Sequence, residues 1–398
     1  TNARVLKHQL RVGRGDRVAY LGLNGIEFIS LLFACARLGA IFVPLNWRLE
    51  TPEYDYILAD ASPKVLIVTN DFKLQVETLN DAHLDCCFVM QNSSDHHQNW
   101  ECLSTLQQAT ATSEDSYNAQ VDLHAPLLIV YTSGTTGHPK GAVLTQQALF
   151  YNALNSQHMH DMSSSDTILT VLPMFHVGGL NIQTLPALYV GATVILHPRF
   201  DPQQTLATIQ HQKPSLTVLV PATLSAIVSL PQWNTTDLSS LRSITSGSSI
   251  VPPSLIDTVM KRGLPVQQVY GLTETSPIAV YQTLDQATTK FHSTGVPGLH
   301  CQMKLVDQCN INVLHGQVGR ILIKGHNVLF EYWGNPQATA TALNEGWFDT
   351  GDLGHLDPDG HLVVDDRAKD MIISGGENIY PAELEVHLHS LDGVLEAA

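Results

Sequence analysis

Short, uniformly apolar runs alternate with helical stretches through the first 270 residues, and this alternation restricts the fold more than any other feature. The run KVLIV at 64–68 reads as a buried strand, and similar runs recur at 41–45, 127–131, 193–197, 216–220, 241–245 and 266–270. Helical patterns fill the intervals. One spans 25–39, where Ile26, Ile29, Phe33 and Ala36 mark an apolar face. Another begins at Thr51-Pro52-Glu53, with a Thr cap, Pro at the first helical position and an acid in the first turn. Strands that are apolar throughout and separated by helices imply parallel sheets covered on both faces.

The alternation breaks twice. Residues 91–126 are rich in Ser, Thr, Gln and Asp and read as a surface stretch. From about 294 the period changes, and GVPGLHCQMKLVD, GRILIKG and HLVVDD read as short strands with glycine turns. A β-rich subdomain therefore follows the α/β part. A chain of 398 residues exceeds what one compact core usually takes, so more than one domain is expected.

Composition removes several classes of function. Lys and Arg total 21 against 37 Asp and Glu, a formal charge of −16, which argues against nucleic acid as a partner. The six cysteines, Cys35, Cys86, Cys87, Cys102, Cys301 and Cys309, form no CxxC pair and no disulfide framework. The 19 histidines show no zinc-like spacing. The run 29–45 is interrupted by Arg37 and Pro44, so no membrane span is expected. The opening TNARVLKHQLRVGRGD is not a signal peptide, and the expected location is the reducing cytoplasm.

Three loops follow expected strands: 132–141, 246–249 and 271–274. Ligands of open α/β sheets bind beyond the carboxyl ends of strands, so the three could share one pocket. The strongest signal is YTSGTTGHPKG at 131–141. Its hydroxyls (Thr132, Ser133, Thr135, Thr136) and glycines (Gly134, Gly137, Gly141) suit close approach to an oxyanion, and Lys140 adds a point charge. Gly141 after the lysine separates it from the common P-loop. A flexible Gly/Thr surface loop is the bland alternative.

With YTSGTTGHPKG, PMFHVGG, TSGSS, VYGLTETSP, GWFDTGDLG and DRAKDMIISGGENIYPAELE in order, the chain resembles the AMP-forming acyl-CoA synthetases, the adenylate-forming superfamily. The resemblance implies two mainly parallel α/β/α layered sheets and a barrel-like β subdomain within a large N-terminal domain, 1–366. The α/β part covers about 1–290 and the β-rich part about 291–366. It also implies a hinge at Lys369 and the start of a small mobile C-terminal domain at 367–398, most of which the sequence lacks.

The activity it implies uses ATP, Mg²⁺ and coenzyme A. A carboxylate attacks the α-phosphate of ATP, and the thiol of coenzyme A then takes the acyl group. By this resemblance Lys140, Thr273, Glu274 and His176 act in catalysis, with Glu274 on the metal. Thr132, Ser133, Gly134, Thr135, Thr136 and Gly137 hold phosphate. Gly247, Ser248 and Ser249 form the adenine pocket, with Tyr270 stacked on the base and Gly271 beside it. Asp352 and Arg367 hold ribose, and Gly375 and Gly376 line the thiol channel. The small residues are hydroxylated here, Ser standing at 248 and 249 where Gly or Ala is usual. Asp366 stands where many members have Gly, and Gln146 where many have His.

His176 replaces the Asp of amino-acid-activating relatives, which argues against an α-amino acid. Gly271 replaces the Trp of acetate-activating relatives and implies an open acyl channel. A medium- or long-chain fatty acid is therefore expected, with an aryl acid as the alternative. Loading of a carrier protein, and nucleotide binding without turnover, are the competing readings. The oligomeric state is open, a homodimer being one option.

Overall fold

The computed structural model describes residues 1–79, 87–91, 100–111, 115–132, 138–291 and 293–367, the segments 372–374 and 377–379, and positions 388 and 394. The first sheet begins with β1 (Arg17–Leu21), β2 (Ile41–Pro44), β3 (Val65–Val68), β4 (Cys87–Met90), β5 (Glu101–Cys102), β6 (Pro126–Thr132) and β7 (Lys140–Thr145). The second comprises β8 (Thr167–Thr170), β9 (Thr193–Leu196), β10 (Leu216–Val218), β11 (Ser243–Gly247), β12 (Val266–Tyr270), β13 (Val280–Tyr281) and β14 (Val296–Pro297). The third starts with β15 (Cys301–Val306) and β16 (Gly319–Gly325). The chain then returns to the first sheet as β17 (Glu331–Tyr332), before β18 (Leu343–Asn344), β19 (Trp347–Leu356) and β20 (Leu362–Arg367) complete the third.

Across the first sheet the order is β17-β7-β6-β2-β1-β3-β4-β5, and across the second β14-β13-β12-β11-β10-β8-β9. The strands between β6 and β5 run parallel, as do those between β12 and β9. Antiparallel neighbours close one edge of each. The third sheet is antiparallel. This is the expected α/β architecture with a β-rich addition.

Burial on both faces explains the uniformly apolar runs. In β1, Val18 and Tyr20 join one core cluster while Ala19 and Leu21 join the cluster on the opposite face. Tyr20, Phe28 and Phe42 pack with ring centroids 5.0–6.1 Å apart.

Several local expectations need correction. Helix Ile26–Leu38 buries Phe28, Leu31, Leu32, Cys35 and Leu38, while Ile26 is 76% and Phe33 47% exposed. The sequence offers apolar residues at helical spacing on two faces, and the face with more bulk won. Helix Thr51–Ala61 is capped one residue early, by Glu50, whose backbone N–H donates to Glu53 Oε2 at 2.9 Å. The polar stretch 91–126 contains the edge strand β5 and a helix, Leu103–Ala109, anchored by the buried Leu103. The strand expected at 241–245 lies two residues later and carries Ser246 and Gly247 into the ladder beside β12. Cys35, Cys87, Cys102, Cys301 and Cys309 are free thiols. No helix among the described residues is long and apolar enough to cross a membrane.

Helix Gln146–His160 ties the second sheet to the site that follows. His160 is fully buried: Nδ1 donates to the Ser156 carbonyl and Nε2 accepts from the Thr245 hydroxyl, both at 2.8 Å. Burial pushes its pKa down to about 4, and the charge of Arg242 adds to the shift. An unfolded histidine titrates near 6.5, so the unfolded chain takes up this proton first as pH falls. The stability that His160 contributes is whole above pH 6.5 and declines toward pH 4, by about 3 kcal/mol in all. Urea midpoints measured from pH 7 to pH 4 should fall steeply for the wild type. His160→Gln, less stable at pH 7, should show a slope shallower by one proton.

Candidate active site

Strands β11 and β12 lie parallel, and the loops at their carboxyl ends open into a cavity of about 420 Å³. Gly247, Ser248, Ser249, Tyr270, Gly271 and Asp352 all line it, so six residues expected at the adenosine end of a nucleotide are brought together. Tyr270 Oη donates to Asp352 Oδ2 at 2.8 Å, and the Asp352 N–H donates to Thr350 Oγ1 at 3.1 Å. The tyrosine thus orients the carboxylate and also lines the cavity. Asp352 is buried on β19 and pairs across the ladder with Arg367, and 363–366 form part of the wall. The Arg367 side chain lies outside the described residues, as do Ser133, Gly134, Thr135, Thr136, Gly137, Lys369, Gly375 and Gly376. The two segments flanking Gly375 and Gly376 pair antiparallel, Ile372 opposite Ile379.

Close backbone approach accounts for two of the glycines. A Cβ on Gly247 would lie 2.4 Å from the Val269 carbonyl oxygen, on the neighbouring strand. On Gly271 it would lie 1.7 Å from the Pro277 carbonyl oxygen. That second distance corrects the expectation that a side chain at 271 would project into an open acyl channel. The direction is already filled by the backbone of the loop that follows. Between these glycines Ser248 adopts φ +73°, a left-handed conformation more at home with glycine.

A second cluster gathers residues that the sequence places at the phosphate end. Strands β6 and β7, on either side of 133–137, pair antiparallel, with Tyr131 opposite Gly141 and Thr132 opposite Lys140. Thr132 Oγ1 donates to the Lys140 carbonyl at 3.4 Å, and the His138 ring stacks on Tyr56 with centroids 4.9 Å apart. The Lys140 ammonium lies over the Tyr332 ring, 5.5 Å from its centroid. On its other side Tyr332 Oη donates to Glu274 Oε1 at 2.8 Å. Lys140 and Glu274 are therefore joined through a tyrosine that the sequence reading missed. Burial, then the charge of Glu274 and their hydrogen bond, hold the Tyr332 phenol above its ordinary range, so it remains a donor.

Glu274 sits in the short turn Thr273–Thr275, with Thr273 half-buried beside it. The Glu274 carbonyl accepts from the Leu329 N–H at 2.7 Å. Asn327, fully buried, donates to the Thr275 and Ile278 carbonyls at 2.7 and 3.1 Å. From the helix side Asn152 accepts from the Ile278 N–H at 3.0 Å and Asn155 donates to its carbonyl at 3.2 Å. A polar Asn inside the apolar run HNVLFEYW was the available signal.

His176 precedes helix Val177–Asn181, and a Cβ on the adjacent Gly178 would lie 3.8 Å from Ser248 Oγ, which places this turn beside the cavity. His176 is exposed to solvent, and its ring packs against that of Phe175 with centroids 4.3 Å apart. Desolvation, and then the Arg48 charge, push its pKa down to about 4, so it is neutral at physiological pH. Asn24 pins the preceding loop, donating to the Leu172 and His197 carbonyls and accepting from the Met174 N–H at 2.8 Å. Gln146 donates to the Ala36 carbonyl at 2.9 Å and so ties its helix to Ile26–Leu38.

The sequence pattern of the family described as AMP-binding enzyme matches residues 2–333. Indoleacetate–CoA ligase of Aromatoleum aromaticum is 50% identical over 96% of this chain and 74% of its own length. A feruloyl-CoA synthase of Amycolatopsis is 40% identical over 96% and 74%. A long-chain-fatty-acid–CoA ligase of Mycobacterium tuberculosis is 34% identical over 98% and 76%. Among solved structures, an anthranilate CoA ligase in complex with anthranoyl-AMP superposes with a TM-score of 0.93 at 27% identity, covering 99% of this chain and 76% of that one. The o-succinylbenzoate coenzyme A synthetase of Bacillus subtilis, in complex with ATP and magnesium, gives 0.85 at 31%, covering 99% and 78%.

The crowding at Gly271 makes a definite prediction. Gly271→Ala must displace the Pro277 backbone, and overpacking of this kind costs about 1–3 kcal/mol. Thermal melts should show the loss, and activity should drop with every acid tested. A folded variant whose only change is a shorter preferred acid would restore the idea of a gate.

Proposed function

Because the chain belongs to the AMP-binding enzyme family, we propose that it activates an aryl or arylacetic acid as its adenylate and transfers the acyl group to coenzyme A. In class it is an AMP-forming acid–thiol ligase. The observation that carries the reading is the convergence of Gly247, Ser248, Ser249, Tyr270 and Asp352 on one cavity beside the Lys140–Tyr332–Glu274 cluster.

The chemistry follows from these groups. A carboxylate oxygen of the acid bonds to the α-phosphorus of ATP, and the bond to the bridging oxygen breaks to release pyrophosphate. The thiol of coenzyme A then attacks the acyl carbonyl, and AMP leaves. Tyr270 offers a ring face to the base, and Asp352 offers acceptor oxygens to ribose hydroxyls. Lys140, with Thr132 and Ser133–Gly137 of the hairpin tip, meets the phosphates. Thr273 donates to the α-phosphate. Neutral His176 can donate one hydrogen bond beside the reacting carboxylate without offering a charge to an ammonium group. Arg367 supports the ribose, Lys369 is the hinge and Gly375 and Gly376 border the thiol path, in keeping with domain limits near 290 and 366.

Mg²⁺ fits the residues present. Glu274 is a buried carboxylate with Oε1 engaged by Tyr332. When bound there, the metal would offset charge on the phosphate oxygens.

Two considerations favour an aryl acid over a fatty acid. The 50% and 40% identical relatives are named for indoleacetate and ferulate, and the long-chain-fatty-acid ligase is 34% identical. The case for an open acyl channel also rested on Gly271, whose Cβ direction is blocked. A fatty acid is the second reading, supported by that 34% identical relative.

Two measurements test the proposal. With ATP and coenzyme A, kcat/KM for indoleacetate or ferulate should exceed that for octanoate and palmitate by at least about 10-fold. The reverse order would install the fatty acid, and pyrophosphate exchange without acyl-CoA would point to a carrier protein. Glu274→Gln should slow acid-dependent ATP–pyrophosphate exchange by about 10²- to 10³-fold while leaving the melting curve close to that of wild type. Exchange near the wild-type rate would remove Glu274 from the reaction.

A further inference from the structure

Tyr332 stands between the two charged groups assigned to the phosphate end, and each of its two faces of contact is chemically distinct. The hydroxyl donates to one carboxylate oxygen of Glu274 at 2.8 Å, and the ring lies under the Lys140 ammonium at 5.5 Å. Tyr332 itself is buried and held on three sides. Its strand pairs with β7 at Ala142, two residues from Lys140. Its N–H donates to Thr339 Oγ1 at 3.0 Å, and the next residue, Trp333, donates its N–H to the Gly141 carbonyl at 2.7 Å. The Glu274 backbone is held from the same segment, through Leu329. A side chain fixed this firmly transmits position to whatever it touches.

We propose that Tyr332 is a positioning residue for MgATP: its hydroxyl occupies Oε1 of Glu274 so that Oε2 is the oxygen presented to the metal, and its ring sets where the Lys140 ammonium stands. The proposal rests on the assignment of Glu274 and Lys140 to the metal and phosphates. A carboxylate free to rotate could turn either oxygen, or both, toward the cation. The hydroxyl removes that freedom before the nucleotide arrives, which is the general benefit of preorganisation. The ring contact does the same for a lysine whose flexible stem would otherwise sample many rotamers.

Equilibrium binding separates the two contacts without any turnover. Calorimetry is run with ATP in EDTA and with ATP at saturating Mg²⁺, and the ratio of the two dissociation constants gives the gain due to the metal. Tyr332→Phe keeps the ring and removes the hydroxyl. Its affinity for metal-free ATP should match wild type, while the gain due to Mg²⁺ should shrink about 10-fold or more, the usual scale for a hydrogen bond to a charged group. Tyr332→Leu should lose the Mg²⁺ gain and also bind metal-free ATP more weakly, because the ring under Lys140 is gone. Glu274→Gln is the reference. If it keeps the full Mg²⁺ gain, the assignment of Glu274 to the metal falls. If it loses the gain while Tyr332→Phe keeps it, the assignment stands and the role of Tyr332 is overturned. In the double variant Tyr332→Phe/Glu274→Gln the gain should equal that of Glu274→Gln alone, and additive losses would contradict a shared path. Should Tyr332→Phe melt well below wild type, Tyr332→His restores an N–H donor on an aromatic ring. Partial recovery of the Mg²⁺ gain would then support the proposal, and none would overturn it.

Discussion

Glu331 and Tyr332 pair antiparallel with Val143 and Ala142 at the edge of the first sheet, and through this two-residue strand three sheets meet at one place. The chain arrives from β16 of the third sheet, pins the loop after β12 of the second through Asn327 and Leu329, and then joins the first. Lys140 belongs to the first sheet, the strands that open into the cavity to the second, and Asp352 to the third. Without β17 these parts would lack a common reference. The length of the strand matters less than what its neighbours bond to, since Leu329 reaches Glu274, Asn327 reaches Thr275 and Trp333 reaches Gly141.

Electrostatics set a second condition. The chain carries a formal charge of −16, so a polyanionic substrate meets a repulsive field at long range. Affinity must come from local groups at short distance. Among the described residues, the Lys140 ammonium stands over the Tyr332 ring, and the same tyrosine donates to the Glu274 carboxylate. The neutral state of His176 belongs to the same pattern, since desolvation and the Arg48 charge keep a proton off its ring.

How far the sequence could be read depended on the kind of signal. Uniformly apolar runs such as VLIV at Val65–Val68 report burial on both faces directly, and β1, with Val18 and Ala19 in different clusters, bears this out. The motif residues at 247–249, 270–271 and 352 line one cavity. Three things were not legible. Ile26–Leu38 carries apolar residues on two faces, and a periodic pattern cannot choose between them. Gly271 could have been a small residue for space or for backbone contact, and only the position of the Pro277 carbonyl decides. Tyr332 and Asn327 lie far in sequence from Glu274 and Thr275, and no spacing rule links them.

The antiparallel pairing of β6 with β7 has a consequence for how this part of the chain can change. A phosphate loop that leads from a strand into a helix borrows part of its attraction from the helix dipole, so its length is tied to the helix position. Here both ends of the connection are fixed by the ladder, Thr132 opposite Lys140, and the register is set below it by Leu128 with Leu144 and Ile129 with Val143. No helix position therefore limits the length of the segment that joins the two strands. The connection between β6 and β7 is therefore a place where length and composition can be varied, by evolution or by directed libraries, while the ladder on either side keeps its register.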